Sequence, residues 1–152
     1  MKKIISPIVL FLIFNLIFTA YSFAQSRTNG RGNSGWGQKS AFNRMYNPTT
    51  VETIKGEVVS VDKTTPLKGT SYLIYIMLKT NKETVSVHLG PAWYFKSHNY
   101  VINVKDKVEI TGSRITYNGK PAVIASEVKR GNEVIKLRDE NGYPVWSGSR
   151  RK

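Results

Sequence analysis

The stretch ETVSVHLGPAWYFKSH (83–98) decides the fold. Val85, Val87 and Leu89 alternate with Ser86 and His88, the period of a half-buried strand. Gly90-Pro91 then stops the strand. Proline at a first helical position is preorganised for a helix, so the spacing predicts one short helix over about 91–98, followed by a return to strand texture.

Working outward, the residues on either side read as β-structure. Upstream, Val51 to Asp62 reads as a first strand, with Gly56 marking a bend or bulge, and KTTPLKGTS (63–71) as a connection. Tyr72 to Thr80 is apolar on both faces, and Asn81-Lys82 turns it back into the third strand. Downstream, Lys107 to Tyr117 and Pro121 to Lys129 flank Asn118-Gly119, a strong hairpin signal, and Glu133 to Arg138 forms a last strand after Gly131-Asn132. Three strands, a helix and two or three further strands is the order of an OB-fold. The expected class is therefore mainly β: a small OB-fold-like Greek-key barrel of five to six strands with one short helix. An immunoglobulin-like sandwich is the alternative, but it would not need the helix and usually spends about seven strands.

The N-terminus reads as an export signal. Met1-Lys2-Lys3 is followed by an apolar run from Ile4 to Thr19 and by small residues at Ser22-Phe23-Ala24, before polar Gln25-Ser26-Arg27. Residues 1–24 are thus expected to be a signal peptide and the protein periplasmic or secreted; an uncleaved membrane anchor is the alternative. Residues 25–47, rich in Gly, Asn, Ser, Arg and Gln, read as a disordered basic linker, 48–146 as the OB-like domain and 147–152 as a basic tail.

The chain has no cysteine, which excludes disulfides, thiolate zinc sites, thiol nucleophiles and covalently attached c-type haem. Removing Lys2 and Lys3 from the 23 basic residues leaves 21 against 10 acidic ones, a net charge of +11. Seven of those charges sit in the terminal segments, at Arg27, Arg31, Lys39, Arg44, Arg150, Arg151 and Lys152. Basic tails of this kind favour anionic surfaces, including a membrane; export weighs against nucleic acid.

The segments VHLGPAWYF (87–95), VKDKVEITGSRI (104–115), NGKPAVIASEVKRG (118–131) and LRDENGYPVW (137–146), with YNPTTVETIKGEVVSVD (46–62) before them, resemble the MamS/MamX domain of magnetosome proteins. The resemblance implies an exported, envelope-associated OB-like domain. It does not bring electron transfer with it, because the CxxCH haem motifs of some magnetosome proteins are lacking here.

Candidate ligand-binding residues are Tyr72, Tyr75, His88, Tyr94, Tyr117 and Trp146, since OB-folds grip ligands on the face of their second and third strands. Of the helix aromatics, Trp93 is expected to plug the barrel and Tyr94 to be exposed. His88, Asp139 and Glu140 are the candidate metal ligands, although a strand-end histidine bonded to its surroundings is the simpler reading of His88. Arg138-Asp139-Glu140, with Asn141 to Trp146 after it, is expected to form a salt-bridged turn that lays Trp146 over the barrel. No catalytic arrangement, phosphate loop or cofactor motif is found, so the chain is expected to be a non-enzymatic module without a cofactor. Its expected partner is an envelope protein, a glycan or a small ligand. A single-stranded nucleic-acid binder and a metal-associated accessory domain are the other two readings. The short Asn118-Gly119-Lys120 hairpin opposes the nucleic-acid reading.

Overall fold

A 14-residue first strand, β1 (Val51–Thr64), is long enough to serve two neighbours. Its first half pairs antiparallel with β4 (Lys107–Tyr117), and its second half with β2 (Leu73–Lys79). In this computed structural model, residues 43–64 and 71–147 are described, all within one compact unit spanning Gly32–Lys152. The expected signal peptide, most of the expected linker and the expected basic tail beyond Ser147 lie outside the described residues.

The order β3-β2-β1-β4-β5 closes on itself through a parallel pairing of β3 (Thr84–Pro91) with β5 (Lys120–Arg130) at Ser86–Ala122, Val87–Val123 and His88–Ile124. With the one α-helix of the described residues, α1 (Ala92–Ser97), between β3 and β4, this is an OB-fold-like closed barrel, as the strand order predicts. A short β6 (Glu133–Lys136) extends the second half of β5.

Closure needs curvature, and the sequence supplies it at particular residues. The register of β1 slips between Val58 and Ser60, two residues beyond the bend expected at Gly56. Gly56 instead permits close approach of two strands, since a Cβ there would lie 2.3 Å from the Lys79 carbonyl oxygen where the end of β2 passes β1. In the 118–119 turn, Asn118 and Gly119 both take positive φ (51° and 74°), the pair that a two-residue hairpin requires.

The core follows the period-two pattern. Val85, Val87 and Leu89 point inward from β3, and meet Ile76 and Leu78 of β2, Ile110 of β4 and Val123 of β5. Pro91 caps α1 in extended conformation at φ −68°. The His98 N–H bonds back to the carbonyls of Tyr94 and Phe95, ending the helix. Arg114 ties three elements together. Its guanidinium pairs with Glu52 of β1 at 2.6 Å and with Glu83 of the β2–β3 turn at 2.7 Å.

Two segments outside the barrel pack onto it. Residues 43–47, within the stretch expected to be linker, are placed against the domain: the Asn47 N–H donates to Ser113 Oγ at 3.0 Å, and Asn47 Oδ1 caps the 3-10 turn Pro48–Thr50. Ordered contact thus begins at least as early as Asn43, which is itself buried. After β6, residues Leu137–Ser147 fold back over the barrel wall, with an isolated bridge between Arg138 and Pro144.

Candidate functional site

Because Val85, Val87 and Leu89 take the inner face of β3, His88 must take the outer one. It is nevertheless only 7% exposed. Aromatic flanks account for this. Tyr75, its register partner on β2, lies stacked at 6.0 Å between ring centroids, and Tyr117 from the end of β4 meets the imidazole edge-on at 5.1 Å. Three of the predicted ligand residues, far apart in sequence, are thus brought together on one outer face.

Burial pushes the His88 imidazole down to about 4, so it is neutral at ordinary pH. The flanking rings grade outward to solvent: Tyr75 is half-buried and Tyr117 is 37% exposed. Tyr72, just before β2 and 57% exposed, is three residues from Tyr75, a spacing that alternation puts on the opposite side of the strand. A surface of this kind offers ring faces and phenolic hydroxyls, with no formal charge on its central residue. It suits stacking and hydrogen bonding to an uncharged ring-bearing ligand.

The family model for the MamS/MamX magnetosome protein family matches residues 50–135, more than half of the chain. The chain belongs to that family. No curated protein matches the sequence. Among solved structures, a small single-stranded DNA-binding protein from Mycoplasma pneumoniae is similar at 16% sequence identity and a TM-score of 0.36, covering 57% of this chain and 98% of that one.

In this MamS/MamX member, the predicted ligand residues Tyr94 and Trp146 also stand apart from the aromatic face. Tyr94, expected to be exposed, is buried: its hydroxyl donates to the Lys136 carbonyl at 3.0 Å, and its ring packs 4.2 Å from His98 and 5.5 Å from Trp146. Trp93, expected to be the plug, is only half-buried. The two roles are exchanged because the segment after β6 supplies Tyr94 with a packing partner that no local pattern reveals. Trp146 is likewise a packing residue, 4% exposed, its ring lying where a Cβ on Gly90 would come within 2.8 Å. Its expected place over the barrel is observed; its expected availability to a ligand is not.

The turn that positions Trp146 is held by hydrogen bonds in place of the expected salt bridge. Asp139 Oδ1 accepts the N–H groups of Asn141 at 3.0 Å and Tyr143 at 2.8 Å, and the Arg138 Nη1 donates to the Gly142 carbonyl at 3.3 Å. Arg138, 2% exposed, has its guanidinium 5.6 Å from the Tyr46 ring centroid and 5.5 Å from that of Trp146. Burial lowers its pKa to about 10. A buried guanidinium facing two aromatic rings was not foreseen, and the only sequence signal for it is the proximity of Tyr46 and Trp146 to the ends of the domain.

The candidate metal ligands are not gathered. Asp139 serves its own turn, Glu140 is exposed, and among the described residues no group of three or more His, Asp or Glu side chains is placed to hold a cation. Also among the described residues, no helix is long and apolar enough to cross a membrane.

Proposed function

We propose that this protein is a non-enzymatic, exported accessory module that captures a glycan or similar uncharged ring-bearing ligand on the face formed by Tyr75, His88 and Tyr117. The carrying observation is the convergence of Tyr75 and Tyr117 on a neutral imidazole from three different strands. Sugar rings present C–H faces that pack on aromatic rings and hydroxyls that bond to phenols, which is what such a face provides. The basic termini would hold the module near an anionic envelope surface after export.

Titration of the isotope-labelled protein with envelope glycan fragments tests this. Shifts should centre on Tyr75, His88 and Tyr117, and Tyr117→Ala should weaken binding roughly fivefold, the equivalent of about 1 kcal/mol of ring contact. Shifts located elsewhere would refute the assignment.

A single-stranded nucleic acid would use the same stacking platform. The two-residue 118–119 turn leaves little loop to wrap a strand, which favours the glycan. An oligonucleotide arm of the titration, repeated in rising salt, separates the two ligands.

A further inference from the structure

The barrel core is incompletely sealed at the end that α1 covers. At six residues α1 is less than two turns long, and it turns Tyr94 and Phe95 inward. Beside it a cleft of about 440 Å³ remains between the β1–β2 end of the barrel and the helix. Val61, Ile74 and Trp93 line it, partly buried hydrophobic residues that pack against the core. Val101, 58% exposed, extends the apolar wall outward. Among the described lining residues the only charged ones are Lys63 and Lys96, both exposed, and none is a carboxylate.

We propose that this cleft binds a single-chain amphiphile with an anionic head group, its alkyl chain against Val61, Ile74 and Trp93 and its head group at Lys63 and Lys96. A volume of this size lies within the range of small-ligand sites, and apolar walls with a few polar groups at the mouth are their usual construction. Chain burial supplies the affinity, while the paired ammonium groups set the sign of the head group. A concave site takes an inserted chain and not the surface of a bilayer. It shares no residue with the aromatic face, so each stands or falls by itself.

The chain, as recovered from producing cells, is titrated calorimetrically with laurate below its micellar concentration. Tetraethylene glycol monododecyl ether serves as the uncharged, sugar-free probe of similar tail, and phosphatidylglycerol vesicles as the bilayer. Laurate should bind one to one, with the ether roughly tenfold weaker. The double variant Lys63→Glu/Lys96→Glu, which reverses two exposed charges, should lower laurate affinity by about tenfold. Val101→Trp, a substitution at an exposed rim position, should fill the cleft and abolish binding at unchanged melting temperature. Tyr117→Ala should leave laurate binding intact. Absence of one-to-one binding, equal affinity for the uncharged ether, binding only to vesicles, or full binding in Val101→Trp would each overturn the proposal. If Val101→Trp melts early, the charge-reversed variant decides.

Discussion

Replacing His88 by phenylalanine should remove a defined part of the protein's acid sensitivity. An imidazole free in the unfolded chain titrates near 6.5, whereas burial between Tyr75 and Tyr117 lowers it to about 4 in the folded state. Between these values the unfolded chain binds the extra proton, so stability falls as pH falls through this window and is fully regained above about 6.5. The full shift amounts to about 3 kcal/mol at 1.36 kcal/mol per pKa unit. Between pH 7.5 and pH 5.0 about 2 kcal/mol of it is lost, the remainder going only as pH falls further through the folded-state value of about 4. Urea unfolding at both pH values measures it. Wild type should lose about 2 kcal/mol more than His88→Phe over this interval, carboxylate titration being common to both. Phenylalanine keeps a ring against both tyrosines, so the variant should be at least as stable as wild type at pH 5.0. Parallel losses in the two proteins would mean that His88 is not held neutral by burial.

Other consequences of the packing are open to the same measurement. Gly56→Ala forces a Cβ to within 2.3 Å of a backbone oxygen and should cost roughly 2–3 kcal/mol, whereas Gly119→Ala, with open space around it at φ +74°, should cost only about 1 kcal/mol of backbone strain. Tyr94→Phe removes the hydroxyl donated to the Lys136 carbonyl and should lower unfolding free energy by about 1 kcal/mol. Arg138→Met should be neutral or stabilising within about 1 kcal/mol, because a buried cation with no carboxylate partner among the described residues is replaced by a side chain of similar length. Arg138→Ala should destabilise by about 2 kcal/mol through lost packing.

What sequence reasoning reached was governed by local signals. Alternation at Val85, Val87 and Leu89, the Gly90-Pro91 stop and the Asn118-Gly119 turn are each decided within a few residues, and their order implies the barrel. The grouping of Tyr75, His88 and Tyr117 was legible only as membership of one face; the contacts themselves depend on closure between β3 and β5. Three features were beyond reach for a common reason. The exchange of Trp93 with Tyr94, the burial of Arg138 and the cleft beside α1 all depend on how segments distant in sequence are laid against one another. A helix six residues long carries no period strong enough to say which aromatic faces inward.

The segment after β6 also decides how the end of β3 is closed. The register of β3 against β2 slips between His88, opposite Tyr75 on the outer face, and Gly90, opposite core-facing Ile74. Trp146, a member of the core cluster, lies against Gly90, where a side chain on residue 90 would collide with its ring. Tyr46 approaches Gly142 so closely that a Cβ there would come within 2.2 Å, binding the entry segment to the same turn. Entry and exit segments are therefore locked together across Arg138, whose guanidinium faces both Tyr46 and Trp146. Trp146 thus belongs to the closure of the core and not to the outer face, so the preference for a glycan fragment over a long single strand rests on the two-residue 118–119 turn, which leaves little loop to wrap a strand.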